Sequence, residues 1–330
     1  MTWLVTGGAG YIGAHVVRQF LAADIPVTVL DDLSTGQLAF IPAKVSFTRG
    51  TVLDGSVLER VFSEHAVTGV VHLAGSTDDT GSVARPLHTY EQNVDGTSVL
   101  LAAMQDKGVT RLVFTSSVAV YGNPAVEVLT EDLPPAPVTP FGESKLICEW
   151  LLRDQTVAAG LRHTTLRLPD VIGSTETTIF DPRSHAPLAA VFAALEQGGP
   201  PIVADPSVRD YVHPDDVALA IMQAVKRMDA DEPLEPVYNL GSGAGTSTSD
   251  LLAAVARATG VAVGAEVAAT PAGTEQRVVA STALAARDLD WRARHPLDDM
   301  VATSWAARRA ATPACPDRLG RPARSTIPSR

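Results

Sequence analysis

The first thirteen residues impose the strongest constraint on the fold, because an apolar strand runs directly into spaced glycines and then into an amphipathic helix. Residues 4–13 have the sequence LVTGGAGYIG. In this pattern Gly8 would let the chain turn sharply, Gly10 would let the backbone approach a pyrophosphate, and Gly13 would let the helix pack closely on the strand. The N-terminus of the helix would offer free N–H groups to phosphate oxygens. The pattern therefore predicts a dinucleotide-binding turn.

An acidic residue follows this turn at the distance expected for such a site. A second apolar strand, at residues 27–30, leads into Asp31, which lies 18 residues after Gly13. A carboxylate at this place can accept hydrogen bonds from the ribose hydroxyls of adenosine, and it would repel a 2′-phosphate. The sequence therefore predicts NAD rather than NADP as the cofactor.

The rest of the chain alternates short apolar runs with segments of helical periodicity. Runs such as residues 69–74 and 111–114 are typical of parallel strands that are buried on both faces. Thr115, Ser116 and Ser117 follow the second of these runs, at the edge where doubly wound sheets bind their ligands. The sequence therefore predicts an α/β fold, with a doubly wound Rossmann-type parallel sheet and a smaller C-terminal substrate-binding lobe.

The predicted NAD-binding Rossmann domain covers residues 1–168, with a returning segment near 209–241, and the substrate-binding lobe mainly covers 169–310. Residues 311–330 contain Pro, Arg and small residues without an apolar period, so we predict a disordered tail. A nucleic-acid-binding arm is the alternative interpretation of the tail. The acidity of the whole protein speaks against it.

The composition limits the partners of the protein. The 330 residues carry a formal net charge of −11, and the sequence pI is about 5.1, which argues against nucleic acid or an anionic membrane as the main partner. No apolar run reaches the length of a membrane span, and the opening segment lacks the pattern of a secretory signal. Cys148 and Cys315 are too few for a disulfide framework, and no Cys/His spacing indicates a metal site. We therefore predict a cytoplasmic protein without a metal.

Several motifs spread along residues 1–310 carry a family resemblance. They are TGGAGYIG at 6–13, DDLSTG at 31–36, HLAG at 72–75, NVDGT at 93–97, FTSSVAVYG at 114–122, RDYVH at 209–213, YNLGSG at 238–243 and LDW at 289–291. Together they resemble the extended short-chain dehydrogenase/reductase family, and most closely its NAD-dependent nucleotide-sugar epimerases and dehydratases of the UDP-glucose 4-epimerase type.

The resemblance implies a mechanism with one departure. In this family a sugar carbon gives a hydride to bound NAD while a tyrosine removes the hydroxyl proton, and in epimerases the hydride returns to the other face of the ketone. A lysine four residues later lowers the pKa of the tyrosine and holds the nicotinamide ribose. Lys145 matches the lysine, and Ser117 would hydrogen-bond the reacting oxygen. At the tyrosine position, however, this chain has Phe141, which has no proton to exchange.

The resemblance also assigns the binding residues. The predicted NAD contacts lie around the glycine turn, at the ends of the following strands and at the lysine: Gly7, Gly10, Tyr11, Ile12, Gly13, Asp31, Asp32, Leu33, Ser34, Thr35, Gly36, Val52, Leu73, Ala74, Gly75, Asn93, Thr115, Lys145 and Pro169. The predicted substrate contacts are Thr77, Ser117, Asp170 and Arg209, and the predicted catalytic residues are Ser117, Lys145 and Asp170, with Phe141 at the tyrosine position.

Other matched positions depart from the family as well. Thr77 stands for a cofactor-side lysine, Thr51 for an acid near the adenine, and Asp170 for a substrate-side asparagine. Residues 271–274, PAGT, replace an Arg-x-Gly-Asp element that grips the substrate's pyrophosphate, which leaves Arg209 as the clear cation for that group.

Alternatives remain open at each of these side chains. Asp170 could act as a general base or could bond a neighbouring backbone group, and Arg209 could bind phosphate or pair with an acid. Asp78 and Asp79 could face the nicotinamide or the solvent. The expected structural residues are His213, Ser116 and Cys148.

Three functions fit these observations. The first is a nucleotide-sugar epimerase or related oxidoreductase with a displaced acid/base group, which would take a small-molecule substrate and could form a homodimer. The second is an NAD-dependent epimerase, dehydratase or ketoreductase that acts on a substrate other than an ordinary UDP-hexose, with or without a pyrophosphate. The third is a non-enzymatic NAD-binding subunit, against which the retained Lys145, Ser117 and Asn93 speak.

Overall fold

The computed structural model describes residues 2–77, 79–181, 187–197, 202–204, 207–261, 265–267 and 277–311. Asp78, residues 271–274 and the predicted tail from residue 312 lie outside the described residues.

The strands, in chain order, are β1 Thr2–Thr6, β2 Val27–Asp31, β3 Ser46–Arg49, β4 Val67–His72, β5 Arg111–Ser117, β6 Arg162–Leu168, β7 Asp170–Val171, β8 Ile202–Ala204, β9 Val208–Arg209, β10 Tyr211–Val212, β11 Val237–Asn239, β12 Thr246–Ser247, β13 Ala265–Val267 and β14 Arg277–Val278. The α-helices are α1 Tyr11–Ala22, α2 Gly55–His65, α3 Asp79–Ala84, α4 Pro86–Tyr90, α5 Gly96–Asp106, α6 Pro140–Ala159, α7 Pro187–Gln197, α8 Pro214–Asp229, α9 Thr248–Thr259, α10 Ala283–Asp288 and α11 Leu297–Ala311. A π-helical turn at Glu91–Asp95 and two 3-10 turns, Leu38–Phe40 and Val118–Tyr121, complete the described elements.

Seven strands form the central sheet in the order β3-β2-β1-β4-β5-β6-β11, and every adjacent pair in it is parallel. The chain moves outward from β1 to β3 and then returns to the other side of β1 with β4. In doubly wound sheets this reversal creates a crevice at the carboxyl ends of the strands. The predicted fold class is confirmed.

Both faces of the sheet are buried. Trp3 and Val5 of β1 pack into one apolar cluster with α1 and α8, whereas Leu4, which points to the opposite face, packs with α2, α5 and α6. This alternation follows from the period of two along a strand. Because helices cover both faces, apolar side chains fill most interior strand positions, and the ligand edge of the sheet lies at the carboxyl ends of the strands.

A smaller apolar cluster lies outside the sheet. It joins residues of α7, α9 and α11 to Ile172 and Tyr211, which flank β7 and β10. The segment 214–239 returns to the central sheet, since α8 packs against α1 and β11 pairs with β6. Short parallel pairing of β7 with β10 then places residues 170 and 211 side by side.

Helix α6 has strong signals at both ends, and these fix the position of the predicted catalytic helix. The Oγ1 atom of Thr139 accepts a hydrogen bond from Gly142 N at 3.2 Å, and Pro140 occupies the first helical position. Gly160 ends the helix in the left-handed conformation. A polar N-cap, an N-terminal proline and a C-terminal glycine each satisfy or pre-set the backbone at a helix end, so they define where α6 begins and ends.

Candidate active site

The glycine turn at the carboxyl end of β1 is shaped by close backbone approach. Gly7 has φ +73°, and a Cβ on it would lie 2.7 Å from Ala74 N. A Cβ on Gly13 would lie 2.2 Å from Gly7 O, so only glycine lets α1 approach the turn this closely. The residue that turns the chain is Gly7 rather than Gly8, which corrects the predicted role. Gly8 is instead a packing position, because a Cβ there would meet the methyl groups of Val29 at 2.7 Å.

The start of α1 fits a phosphate group. Gly10 is the N-cap without a side-chain cap, and the first turn of the helix contains no acidic residue. The first N–H groups of a helix, here those of Tyr11, Ile12 and Gly13, have no intrahelical acceptor and carry partial positive charge. The glycine cradle and this uncapped helix start therefore fit the pyrophosphate of a dinucleotide.

Asp31 holds the glycine turn together from the end of β2. Its Oδ2 accepts from Ala9 N at 2.9 Å, and its Oδ1 accepts from Leu33 N at 2.8 Å. Asp32 accepts from Ser34 N at 2.8 Å, and the backbone of Gly36 lies against Ala9. The carboxylate of Asp31 thus lies beside the predicted cofactor site, and it also braces the loop, a second role that the sequence pattern did not predict.

Asn93 positions the loop after β4. It lies in the π-helical turn and is buried; its Oδ1 accepts from Ser76 N at 2.7 Å, and its Nδ2 donates to Ser144 Oγ at 2.8 Å. Gly75, with φ +139°, gives the amide room, since a Cβ there would lie 2.5 Å from Asn93 Oδ1. Asn93 therefore connects the loop of Leu73–Ser76 to helix α6.

The ammonium of Lys145 lies buried at the carboxyl end of β5. Its Nζ donates to Thr115 O at 3.1 Å and lies 5.0 Å from the centre of the Phe114 ring. Across the described ranges that is its one hydrogen bond. Burial lowers the pKa of Lys145. The neighbouring His72 is held between Thr6 and Thr97, and burial together with the charge of Lys145 lowers its pKa to about 3.

Phe141 lies one helical turn before Lys145 on the same face of α6. Its ring centre is 6.0 Å from Lys145 Nζ, and the residue is 8% exposed. The backbone N–H of Phe141 donates to Ser82 Oγ at 3.2 Å, which ties the start of α6 to α3. The structure therefore puts an apolar ring where the resemblance implies a phenol.

Ser117 ends β5 and caps the following 3-10 turn. Its Oγ accepts from Ala119 N at 3.1 Å, and the residue is half-buried. The start of α6 closely approaches this turn, because a Cβ on Gly142 would lie 2.6 Å from Ala119 O. The residue after Phe141 therefore contacts the turn that Ser117 caps.

Ser116 points the other way, into a buried polar cluster. Its hydroxyl donates to Glu149 Oε1 at 2.6 Å, and Arg167 forms a two-point ion pair with the same carboxylate, with its guanidinium 4.7 Å from the centre of the Tyr121 ring. Ser116 has the structural role that the sequence predicts, whereas its partners Glu149 and Arg167 were not predicted. The available signal was two charged residues inside otherwise apolar segments.

Asp170 and Arg209 meet at the carboxyl end of β6. Arg209 Nη1 lies 3.3 Å from Asp170 Oδ2, and the two side chains are 35% and 33% exposed. Burial raises the pKa of Asp170; Arg209 opposes this effect and Asp79 adds to it. Asp79 accepts a hydrogen bond from Thr139, just before Phe141. Asp170 is therefore affected by the charge of Asp79, which itself accepts a hydrogen bond from the residue that caps α6.

The remaining predicted residues are divided between this edge and the interior. Thr77, Ser34 and Thr35 are exposed on loops beyond the strand ends, whereas Val52 and Pro169 are buried. His213 caps α8 by accepting from Asp215 N at 3.1 Å, in line with a structural role. Its ring stacks on His295 at 3.9 Å between centres. Cys148 is buried and free.

Known proteins are similar to this chain over most of its length. The model of the NAD dependent epimerase/dehydratase family matches residues 3–241. The UDP-glucose 4-epimerase of Lacticaseibacillus casei is 35% identical over 318 residues, which cover 92% of this chain and 96% of that protein. The chain belongs to the NAD-dependent epimerase/dehydratase family. The predicted family, enzyme class and NAD dependence are confirmed.

Solved structures agree with this assignment. The UDP-glucose 4-epimerase of Thermus thermophilus in complex with NAD has a TM-score of 0.84 and 35% identity, covering 94% of this chain and 100% of that one. The enzyme from Bifidobacterium longum in complex with NAD+ and UDP has a TM-score of 0.84 and 30% identity, covering 94% and 99%. In the part of this chain that the structure describes, no helix is both long and apolar enough to cross a bilayer.

Proposed function

We propose that this protein is an NAD-dependent epimerase that acts on a nucleoside-diphosphate sugar and uses an acid/base group other than tyrosine. The observation that carries the proposal is the buried ammonium of Lys145 at the end of β5, at the same sheet edge as the uncapped start of α1. A buried lysine beside an anion-binding helix start is suited to a cofactor that has both a ribose and a pyrophosphate.

Different residues of the chain would bind different parts of the cofactor. The N–H groups of Tyr11, Ile12 and Gly13 would bind the pyrophosphate, Asp31 the adenosine ribose, and Lys145 the nicotinamide ribose. When bound, NAD supplies the acceptor and donor of the hydride. The buried setting of Lys145, with its lowered pKa, keeps water from competing for the ribose hydroxyls.

The proton must move at a different side chain. Phe141 has no exchangeable proton, and Ser117 can orient a substrate oxygen through its hydroxyl. We propose Asp170 as the group that takes up and returns the proton, because its pKa is raised by burial and it follows the carboxyl end of β6, at the edge of the sheet where Lys145 lies. A general base works best when its pKa lies near the working pH. The proposal requires the carboxyl group of Asp170 to contact the reacting oxygen of the sugar.

The partner and location are proposals as well. A nucleotide sugar as substrate is supported by the UDP in the Bifidobacterium longum structure. A homodimer is supported by apolar side chains on the outer face of α6, where Trp150 is 48% and Val157 is 87% exposed. A cytoplasmic location agrees with the use of only two cysteines. Light scattering on the protein as it elutes from a sizing column tests the homodimer. Cell fractionation tests the cytoplasmic location.

The function is tested by incubating the NAD-loaded protein with UDP-glucose and separately with UDP-galactose. We expect each sugar to be converted to the other without net NADH release. Asp170→Asn keeps the shape of the side chain but cannot exchange a proton, so it should lose this conversion while still binding NAD. Full conversion by Asp170→Asn would remove Asp170 from the chemistry. Absence of conversion by the wild type, together with tight NAD binding, would favour a substrate without a diphosphate.

A further inference from the structure

The cation available for a substrate phosphate is already in contact with an internal carboxylate. Arg209 comes from β9, in a small sheet with β12 and β14, and Asp170 comes from β7, which pairs with β10. Their ion pair of 3.3 Å joins these two small sheets near the carboxyl end of β6. Both side chains are about one third exposed, so an anion from solvent can reach the guanidinium.

Within the described ranges, two charged groups act on Asp170. Arg209 acts on it from β9, and Asp79 acts on it from the start of α3. Its register partner in β10 is Tyr211, which is buried. The carboxylate is therefore balanced between one cation, which it contacts, and one further anion.

We propose that Asp170 occupies the position on Arg209 that a substrate diphosphate takes, so that diphosphate binding displaces the carboxylate and a fraction of Asp170 takes up a proton from solvent. This inference rests on the proposed function, because it assumes a substrate with a phosphate for Arg209. A guanidinium binds carboxylates and phosphates through the same donors, so the two anions compete for it.

The direction of the proton transfer follows from the charges. In the free protein Arg209 lowers the pKa of Asp170, against the effects of burial and Asp79. Once a phosphate holds Arg209, the carboxylate loses its cation and gains a second anionic neighbour, and both changes raise its pKa. The bound state therefore holds more protons than the free state. Affinity for a diphosphate should rise as the pH falls through the range between the two pKa values.

The arrangement makes Asp170 a specificity residue. A neutral amide at position 170 would remove this carboxylate as a competitor for Arg209, whereas the aspartate weakens diphosphate binding. One pKa unit of coupling equals a tenfold change in affinity, so we expect Asp170→Asn to bind a diphosphate sugar roughly tenfold more tightly. The raised pKa brings Asp170 towards the working pH, so that its deprotonated form can accept the hydroxyl proton of the sugar and its protonated form can return that proton to the sugar oxygen.

The test is calorimetric titration of the NAD-loaded protein with UDP-glucose, whose phosphates are diesters without a proton to exchange near neutral pH. Titrations at several pH values, in two buffers that differ in heat of ionisation, give the number of protons taken up. For the wild type we expect net uptake of up to one proton and tighter binding at lower pH. For Asp170→Asn we expect no uptake, a flat pH dependence and roughly tenfold tighter binding.

Asp79→Asn is the matched control, because it removes one negative charge that acts on Asp170 but leaves the ion pair of Asp170 and Arg209 in place. It should keep the proton uptake and tighten binding less than Asp170→Asn does. Arg209→Ala should weaken binding of UDP-glucose and leave NAD binding unchanged. NAD affinity and thermal unfolding of every variant show that each is folded.

The outcomes separate this inference from the proposed function. Absence of proton uptake by the wild type, or equal UDP-glucose affinity of wild type and Asp170→Asn, overturns the displacement and leaves the epimerase proposal intact. Equal tightening by Asp79→Asn and Asp170→Asn shows a general charge effect and also overturns it. If neither wild type nor Asp170→Asn binds UDP-glucose while both bind NAD, the nucleotide-sugar substrate fails, and the displacement fails with it.

Discussion

Replacing Phe141 by tyrosine is the sharpest perturbation of this site, because it adds one hydroxyl group to the helix position that lies one turn before Lys145. The phenylalanine ring centre is 6.0 Å from Lys145 Nζ, so the new oxygen at the far end of the ring can come near the ammonium. The backbone of residue 141 is already fixed by the hydrogen bond to Ser82. The change therefore tests the hydroxyl rather than the helix.

Two magnitudes decide the expected result. A well-placed general acid/base group contributes about 10²–10⁴-fold to a rate. Phe141 is only 8% exposed, and a buried hydroxyl without a partner costs about 1–3 kcal/mol. Because Asp170 on the substrate side has changed together with the tyrosine position, a restored phenol does not restore the geometry around the sugar. We expect Phe141→Tyr to change turnover less than tenfold and to lower the thermal stability slightly.

The assay measures conversion and NADH formation with UDP-glucose and UDP-galactose for the wild type, Phe141→Tyr and the double variant Phe141→Tyr/Lys145→Met. Ultraviolet titration of the single variant adds a direct readout, since a phenol close to Lys145 ionises at a lower pH than a remote one. The double variant removes the charge that would activate the phenol.

A gain of about a hundredfold or more in Phe141→Tyr, lost again in the double variant, would refute our reasoning. It would mark the protein as an ordinary epimerase that lacks one group, and Asp170 would no longer be needed as the proton carrier. A lowered tyrosine pKa without a gain in rate would show that the hydroxyl reaches Lys145 and that the chemistry uses another residue.

Three further predictions address the cofactor site and the pH dependence of stability. The wild type should bind NAD more tightly than NADP, and Asp31→Ala should weaken NAD binding and narrow the difference; equal dissociation constants of the wild type for both cofactors would contradict the role of Asp31. Gly13→Ala puts a Cβ 2.2 Å from a carbonyl oxygen, so it should abolish NAD binding and destabilise the fold by about 1–3 kcal/mol. The control Gly55→Ala, whose Cβ would find its nearest neighbour at 3.8 Å, should leave NAD binding and urea unfolding unchanged. Burial and the nearby histidines lower the pKa of His213 to about 4, so the unfolded chain binds more protons as the pH falls from about 6.5 towards 4, and stability falls with it. Between pH 7 and 4.5 the free energy of unfolding of the wild type, measured with urea, should fall by about 2 kcal/mol more than that of His213→Asn, which keeps an N-cap acceptor. An equal fall in both proteins would show that His213 is not the cause.

The sequence was sufficient for the fold class and for the identity of the cofactor. The glycines of residues 7–13, followed by Asp31 at the end of the next strand, predicted the first β-α-β unit. The apolar runs predicted strands that are buried on both faces. These features are local, since a strand, a tight turn and a helix start are encoded by neighbouring residues. The position of Lys145 one turn after Phe141 is local for the same reason.

The particular glycine that turns the chain was not determined by local sequence. Gly7 and Gly8 are adjacent and equally free to adopt unusual backbone angles, so the pattern alone could not choose between them. The roles of the two glycines differ because a Cβ atom at each position would meet a different neighbour. A Cβ on Gly7 meets the backbone of the loop after β4, and a Cβ on Gly8 meets Val29 of β2. Both neighbours are supplied by sheet pairing.

Pairings between distant segments were decided only by the tertiary structure. Arg209 and Asp170 are 39 residues apart, and the sequence left open whether Arg209 binds phosphate or an acid. The structure pairs it with Asp170 because β7 pairs with β10, and β10 follows β9 almost directly along the chain. Glu149 and Arg167 likewise meet across helix α6 and strand β6. A side chain's charge is written in the sequence, whereas its partner depends on which strand ends the fold brings to the same edge.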